Sequence, residues 1–311
     1  MPTAVYTHPI CQKHEMGYRH PESPARLKAI SEALDADDFA LLDRRDAPRG
    51  GIKDIEYVHA PFYVENIFES VPASGYVRLD PDTAMNPFSG EAALRAVGAV
   101  CAAVDAVVTG QARNAFCAIR PPGHHAESTR AMGFCLFNNI AIAAEHARHV
   151  HGLQRVAVAD FDVHHGNGTQ NHFFRYRDLF YASSHQWPLF PGTGLESETG
   201  VFNNICNARL PPGAGSEEFR AAWAGRMLPA LDRFAPDLLL ISAGFDAHFR
   251  DPLAQLRLQT EDFGWVTCEL VEIAEKYCDG RIVSTLEGGY DLEALAASAA
   301  LFVKTLLSTC T

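Results

Sequence analysis

The chain has 311 residues, of which 47% are hydrophobic, so it can bury a large core. Its 26 basic and 38 acidic residues give a formal net charge of −12, which repels a phosphate backbone and argues against direct binding of nucleic acid. No linker, repeat or low-complexity tract divides the sequence, and we predict a single domain over residues 1–311.

The chain carries no signal for membrane insertion or secretion. Its N-terminus lacks a basic segment and a long apolar segment, and the most apolar predicted helix is interrupted by Arg95 and Asp105. The eight cysteines form no CxxC pair and mostly lie in apolar runs, which is typical of buried thiols in a reducing compartment. We therefore expect a cytoplasmic protein that does not span a membrane.

Helix signals alternate with apolar strand signals along the chain. In chain order, the predicted elements are a strand at 4–7, helices at 25–34, 61–68 and 91–108, a strand at 114–119, a helix at 138–150, strands at 156–159, 180–183 and 204–208, a helix at 216–234, a strand that starts at 237, a helix at 260–277, a strand at 281–286 and a helix at 292–307. Ser23 is expected to cap the first helix and Gly152 to stop the fourth.

Four of the predicted strands are continuous apolar runs that end in polar, glycine-rich turns. This pattern is typical of central strands in a parallel sheet, whose carboxyl ends gather functional residues. The fold class is therefore α/β, a three-layer αβα sandwich with a mostly parallel central sheet. Long irregular segments at 76–90, 123–134, 185–201 and 247–259 are expected to form the rim of a site.

The run at 156–159 is followed directly by acid, acid and imidazole at every second position. If the chain stays extended there, Asp160, Asp162 and His164 point the same way. Their oxygen and nitrogen donors suit a divalent metal such as zinc. A polar surface loop is the alternative, but it does not account for carboxylates at the exit of a buried strand, where unpaired charge is costly.

The other three apolar runs are also followed by residues with catalytic or metal-binding side chains, at the same carboxyl edge of the predicted sheet. Asp246 follows the run that starts at 237, and the pair His124 and His125 follows an Arg-Pro-Pro-Gly turn after the run at 114–119. Tyr290 closes a Glu-Gly-Gly-Tyr segment after the run at 281–286. Four separate segments are thus predicted to contribute residues to one site.

Together these segments resemble the histone deacetylase superfamily, specifically its class II-like bacterial amidohydrolases and acetylpolyamine amidohydrolases. The matching motifs occur in family order and are HPESP at 20–24, RPPGHH at 120–125, GFCLFNN at 133–139, the segment 160–169, FPGTG at 190–194, SAGFD at 242–246 and LEGGY at 286–290. The resemblance implies the arginase/deacetylase fold and metal-dependent hydrolysis of an amide bond.

The resemblance also implies roles for particular residues. It makes Asp162, His164 and Asp246 the ligands of Zn2+, with Fe2+ as an alternative occupant, and leaves a position open for water and substrate. It makes His125 the general base and acid, oriented by Asn167, and gives His124, oriented by Asp160, an electrostatic role. Tyr290 would donate to the developing oxyanion. Asn167 stands where class I members carry aspartate, which should make His125 less basic.

Substrate contacts follow from the same resemblance. Phe134 and Phe190 match the aromatic pair that walls an acyl-lysine tunnel, and Gly133 permits close approach of the linker. Leu253 stands where polyamine-selective eukaryotic members carry glutamate, so it favours acyl-lysine over acylpolyamines. Asp82 could accept hydrogen bonds from a substrate backbone, or be an ordinary solvated loop acid.

A structural K+ ion is also implied by the resemblance. Its expected ligands, mostly backbone carbonyls, belong to Asp160, Asp162, His164, Ser183 and Ser184, and a weaker second site is expected around Phe173, Tyr176 and Leu179. Backbone ligation leaves little trace in side-chain identity, so this expectation rests on the resemblance alone.

Several alternatives stay open at this stage. The substrate could be an acyl-lysine peptide or protein, or an acylated small amine such as an acetylpolyamine, and a homo-oligomer is compatible with the sequence. A ureohydrolase of the arginase type would need more Asp and His ligands for two manganese ions. A noncatalytic acyl-lysine-binding module would not need His124, His125 and Tyr290 together.

Overall fold

Eight parallel strands form the central sheet in the computed structural model, which describes residues 1–308. In chain order they are β1 (Thr3–Thr7), β2 (Asp43–Asp46), β5 (Asn114–Cys117), β6 (Val156–Asp160), β7 (Leu179–Gln186), β8 (Ile205–Leu210), β9 (Leu238–Ala243) and β10 (Ile282–Leu286). Their spatial order is β2-β1-β5-β10-β9-β6-β7-β8, and a short antiparallel pair, β3 (Val77–Arg78) and β4 (Ala84–Met85), lies apart from the sheet.

Helices cover the sheet on both sides. They are α1 (Ala25–Leu34), α2 (Ile52–Glu56), α3 (Pro61–Glu69), α4 (Ser89–Val108), α5 (Asn139–His151), α6 (Asn167–Phe173), α7 (Ser216–Ala222), α8 (Leu228–Phe234), α9 (Thr260–Cys278) and α10 (Leu292–Leu307). A π-helical turn at Trp223–Met227 joins α7 to α8. Helices α4 and α5 pack together, as do α1, α9 and α10, which confirms the predicted αβα layering around a mostly parallel sheet.

The strands that carry the predicted site lie in the middle of the sheet. Every residue of β6, β9 and β10 is buried, because these strands have neighbours on both sides and helices on both faces. In contrast, β2 lies at the edge and consists of the charged residues 43–46, alternately half-buried and exposed. Its polar sequence is typical of an edge strand and hid it from sequence analysis.

Most helix ends follow the expected signals. Asn138 caps α5 by accepting a hydrogen bond from the Ala141 amide, and Gly152 ends that helix in a left-handed conformation with φ of 69°. The cap predicted at Ser23 was wrong, because Pro24 is the N-cap and Ser23 contributes only its backbone carbonyl, to the Arg26 amide.

A cluster of buried phenylalanines lies at the carboxyl ends of β6 and β9. Phe161 and Phe245 have ring centroids 6.0 Å apart, and both contact Phe263 of α9 and Phe302 of α10. Phe161 and Phe245 each directly precede one of the predicted metal ligands. Apolar packing therefore anchors the backbone that presents those ligands.

Two further expectations concern the rest of the chain. Six cysteines are buried free thiols, as predicted for them: Cys11, Cys101, Cys117, Cys135, Cys206 and Cys278. Within residues 1–308, none of the helices combines the length and the apolar character needed to cross a membrane.

Candidate active site

A cavity of about 230 Å³ opens at the carboxyl edge of the sheet. Its lining consists of Asp82, His125, Gly133, Phe134, His164, Leu189, Phe190, Leu253 and Tyr290. Each of the four long irregular segments contributes at least one of these residues, so the segments do form the rim of one site.

The three predicted metal ligands meet at His164, which lines the cavity, and this cluster is the floor of the cavity. Ligand atoms of Asp162, His164 and Asp246 all lie within 4.8 Å of one another. His164 Nδ1 lies 3.2 Å from Asp162 Oδ1 and 3.1 Å from Asp246 Oδ2. Two carboxylates and one imidazole in this arrangement are a donor set that fits a divalent ion with an open position for substrate or water.

The reason for this convergence differs from the one that the sequence indicated. Strand β6 ends at Asp160, and the following segment bends instead of continuing extended. The bend is held by the Asp162 amide, which donates to Asp160 Oδ1 at 3.1 Å, and by the His164 amide, which donates to Asp162 Oδ1 at 2.9 Å. Hydrogen bonds from each acid to the amide two residues later, rather than strand alternation, set the direction of these side chains.

Backbone amides from the segments that follow β10 and β6 fix the two carboxylates. The Gly288 amide donates to Asp162 Oδ2 at 2.8 Å, and the Val163 amide donates to Asp246 Oδ1 at 2.8 Å. A Cβ atom at Gly244 or Gly288 would collide with these carboxylates. Both positions therefore require glycine for the close approach of the backbone.

The floor of the cavity carries an excess of buried negative charge. Asp162 and Asp246 are 0% and 1% exposed, and within residues 1–308 neither forms an ion pair with lysine or arginine. Burial and the neighbouring Asp162 carboxylate raise the pKa of Asp246 to about 7. Buried carboxylates that lack a lysine or arginine partner are stabilised by a bound cation, so the residues present fit a divalent metal.

The tandem histidines stand beside the predicted ligands, with ring centroids 4.0 Å apart. His124 Nδ1 lies 3.0 Å from Asp160 Oδ2, and His125 Nδ1 lies 2.9 Å from Asn167 Oδ1. Each histidine therefore has the partner that the sequence indicated, a carboxylate for the first and a carboxamide for the second.

The two histidines differ in their electrostatic surroundings. Burial disfavours a charge on His124, but the Asp162, Asp160 and Glu287 carboxylates outweigh it and raise the pKa of His124 to about 10. Burial, together with positive charge on His124 and His164, lowers the pKa of His125 well below its ordinary value.

Tyr290 also lines the cavity and lies in the segment that follows β10. Its ring contacts the ring of Phe134 edge to face at 5.9 Å, and its amide donates to Asp251 Oδ2 at 2.7 Å. The guanidinium of Arg26 lies 4.9 Å from the centre of the tyrosine ring and donates to the Gly289 carbonyl at 2.7 Å. These contacts hold Tyr290 in place in the lining of the cavity.

The residues predicted to contact substrate line the remaining walls of the cavity. The ring of Phe190 lies 5.1 Å from His125 and 6.3 Å from His164. Gly133 and Phe134 have positive φ angles of 56° and 68°, a conformation held by hydrogen bonds from their amides to Asp82 Oδ1 and to Thr83 Oγ1. Asp82 thus shapes the wall through the protein's own backbone.

The residues expected around K+ occupy two places. Ser183 pairs with Asp160 across β6 and β7, and the hydroxyl of the adjacent Ser184 accepts a hydrogen bond from the Trp223 indole. The second expected set has its backbone carbonyls gathered around one donor: Asn204 Nδ2 donates to Phe173, Tyr176 and Leu179 at 2.9, 3.1 and 2.9 Å.

Several residues of the site were missed by sequence analysis. Glu287 Oε2 accepts hydrogen bonds from the amides of Gly123 and His124 at 2.7 and 3.1 Å, which fixes the histidine loop. Glu127 accepts from Asn167 Nδ2 at 2.9 Å, and Asp251 accepts from Leu253 and Tyr290. These acids act on the backbone or on other side chains, and no spacing in the sequence indicates such partners.

Comparison with known proteins identifies the family to which this geometry belongs. The model of the histone deacetylase domain matches residues 20–306. The chain therefore belongs to the histone deacetylase family, whose members are deacetylases and related amidohydrolases.

Similar proteins occur in several kingdoms. The chain is 44% identical to a probable deacetylase of Methanothermobacter thermautotrophicus, over 92% of this chain and 86% of that protein. It is 41% identical to the histone deacetylase-like amidohydrolase of Pseudomonas aeruginosa, over 87% and 72% of the two chains. The crystal structure of the HDA15 HD domain superposes with a TM-score of 0.93 at 33% identity, covering 99% of this chain and 89% of the other.

The close contact between Gly133 and His125 gives a test of the wall geometry. A Cβ atom at Gly133 would collide with the His125 ring, so Gly133→Ala is expected to lower kcat/KM for amide hydrolysis at least ~10-fold by displacing either the ring or the wall. The matched control is Gly75→Ala, whose φ of 68° imposes similar backbone strain where a Cβ atom meets nothing within 4 Å. Equal activity of the two variants would contradict the proposed packing.

Proposed function

We propose that this protein is a zinc-dependent deacetylase that removes acetyl or other short acyl groups from lysine side chains of peptides or proteins. One observation carries the proposal: His164, which belongs to the metal-type cluster with Asp162 and Asp246, lines the same cavity as His125 and Tyr290. Binding an acyl-lysine requires none of the proton-transfer groups, and their presence together supports hydrolysis.

The bound ion would polarise the acyl carbonyl and increase the acidity of a water molecule. His125 is oriented for the proton transfer that this requires. Because Asn167 Nδ2 donates to Glu127, Asn167 presents its oxygen to His125, and the imidazole must carry its proton on Nδ1. Its Nε2 is then free to accept a proton from water and to deliver it to the leaving amine.

Two other side chains complete the chemistry. The Tyr290 hydroxyl would donate to the carbonyl oxygen as negative charge develops on it. His124, paired with Asp160, would hold positive charge beside the reacting atoms without leaving its carboxylate partner. The aromatic walls, Phe134 and Phe190, would exclude water from the alkyl stem of the substrate.

A lysine substrate is favoured over a polyamine by the cavity mouth. Leu253 lines the cavity and brings no charge to attract a second ammonium group. An acetylpolyamine or another small acylated amine is the second candidate, supported by the net charge of −12, which attracts cationic substrates of either kind.

The remaining proposals concern ions, partners and location. Fe2+ could replace Zn2+, since two carboxylates and one imidazole accept several divalent metals. K+ near Asp160, Ser183 and Ser184 would stabilise the carboxyl end of β6. We further propose a cytoplasmic protein, alone or as a homo-oligomer, with no nucleic-acid partner.

Removal of one predicted ligand should remove the ion and the activity together. Asp246→Ala is expected to lose one equivalent of tightly bound divalent metal, measured by elemental analysis after gel filtration, and to lose deacetylation of an acetyl-lysine peptide. Asp246→Asn, which preserves side-chain size, guards against a loss of folding. Asp38→Ala, at an exposed surface carboxylate, should keep both metal and turnover. Full metal content and turnover in the Asp246 variants would refute the ligand assignment.

Tyr290 can be tested without disturbing the metal. Tyr290→Phe is expected to retain fold and metal content but to lose about 10²–10³-fold in kcat, the effect of removing one oxyanion donor. The control is Tyr76→Phe, which changes a half-exposed tyrosine that is remote in sequence from Tyr290. Turnover near the wild-type value in Tyr290→Phe would exclude the proposed role.

Selectivity should respond to charge at position 253. Leu253→Glu is expected to raise the ratio of kcat/KM for acetylspermidine over an acetyl-lysine peptide by roughly 5-fold, since a partly exposed ion pair contributes about 1 kcal/mol. The neutral isostere Leu253→Gln should leave the ratio unchanged, and added salt should reduce the effect of glutamate. A wild-type protein that already prefers acetylspermidine strongly would show that loop geometry determines the substrate instead.

A further inference from the structure

A second group of histidines and carboxylates lies outside the active-site cavity, where α2, α4 and α5 meet. Ligand atoms of Asp105, His146 and His151 all lie within 4.8 Å of one another. Asp105 Oδ1 is 2.8 Å from His146 Nε2 and 2.6 Å from His151 Nε2. None of these residues lines the active-site cavity, so the group is separate from the proposed deacetylase chemistry.

The hydrogen-bond pattern around His146 is that of a metal ligand. Its Nδ1 lies 3.0 Å from Asp54 Oδ1, while its Nε2 points at Asp105. Histidines that bind metals commonly donate their second ring N–H to a carboxylate, which fixes the tautomer and leaves the other nitrogen free to coordinate. Asp54 provides this carboxylate for His146.

The charge of the group also fits a divalent cation. Within residues 1–308, Asp54 and Asp105 have no lysine or arginine partner, and their ion-pair contacts are with His146 and His151. The neighbouring Glu145 differs, because Arg148 lies 2.9 Å from it and compensates its charge. Histidine binds a metal through its neutral imidazole, so as a ligand set the two carboxylates and two imidazoles would carry a charge of about −2, which a divalent ion neutralises.

We propose that Asp105, His146 and His151 form a second metal site that binds Zn2+ or a similar divalent transition metal. Nε2 of each histidine and one oxygen of Asp105 supply three ligands, water supplies the fourth, and Asp54 orients His146. A tetrahedral ion about 2.0–2.1 Å from each donor separates the donors slightly more than the present hydrogen bonds do, so the side chains need to move only a few tenths of an ångström.

The site is accessible and rigid. The Asp105 side chain is 48% exposed, and those of His146 and His151 are 10% and 15% exposed, so an ion can enter from solvent while two of its ligands stay largely buried. The ligands project from α4 and α5, two helices that pack together. A bound ion would therefore join the C-terminal ends of these helices.

Metal stoichiometry in four proteins, each with all 311 residues, tests the site. After chelation and dialysis, each protein is loaded with Zn2+, passed through gel filtration and analysed for zinc. The wild-type protein is expected to hold two equivalents, His151→Ala one, Asp246→Ala one, and the double variant none. Asp54→Asn should retain the ligands but bind the second equivalent about 10–100-fold more weakly in a calorimetric titration.

The controls separate this site from the active site. His149→Ala, which removes an exposed histidine from the same helical turn, should still hold two equivalents. Co2+ titration gives a second measurement, since loss of the site in His151→Ala should remove part of the visible absorption of the Co2+ protein. Equal zinc content in wild type and His151→Ala overturns the second site and leaves the deacetylase proposal intact. Equal content in wild type and Asp246→Ala contradicts the active-site assignment instead.

Discussion

Burial of carboxylates without a lysine or arginine partner is the constraint on which the rest of this structure depends. The carboxylates are those of Asp160, Asp162, Asp246, Asp251 and Glu287, all less than 9% exposed, and within residues 1–308 none of them forms an ion pair with lysine or arginine. Backbone amides stabilise them instead, among them those of Gly123, Val163 and Gly288. Because amides reach a carboxylate only where the backbone approaches closely, the constraint explains the glycine-rich turns after the central strands. The negative charge that amides leave uncompensated would attract the cation of the proposed function to the cavity.

The N-terminal segment solves the same problem in the opposite way. Glu22 is fully buried and is paired with both Arg120 and Arg26, and these charges together hold its pKa at about 2 against the effect of burial. Arg26 then donates to the carbonyls of Gly289 and Glu287 at 2.7 and 2.5 Å. The HPESP motif at 20–24 thus has a physical role, since its glutamate positions the arginine that supports the turn leading to Tyr290. A segment remote in sequence from the cavity therefore supports Tyr290, the proposed oxyanion donor.

The sequence predicted the elements whose apolar pattern matches their burial and missed those whose role depends on partners. The run at 238–243 and the helix at 292–307 were recognised because their apolar patterns match their burial, whereas the edge strand at 43–46 and the short helix at 167–173 carry polar residues. Within the site, Asp162 and His164 were recognised by their residue types, but the reason given, continued strand alternation, was wrong because β6 ends at Asp160. Glu127 was missed because it acts through another side chain: it accepts a hydrogen bond from the Asn167 carboxamide and so sets the orientation of that group. Side-chain pairs of this kind leave no periodic signal in the sequence.

The floor and the rim of the cavity are held by different kinds of interaction, and under the proposed function this would separate chemistry from selectivity. The floor rests on strand ends and on the Phe161 and Phe245 cluster, while the rim is tied by single hydrogen bonds, such as that from the Gly133 amide to Asp82. Asp251 is the exception, because its two oxygens accept from the Leu253 amide at 3.0 Å and from the Tyr290 amide at 2.7 Å. One buried carboxylate therefore positions both the residue at the mouth and the proposed oxyanion donor. Under the proposed function, changes to the Leu253 side chain are expected to alter substrate choice alone, since they preserve the backbone contact to Asp251. A change at Asp251 would instead act on the rim and on Tyr290 at once.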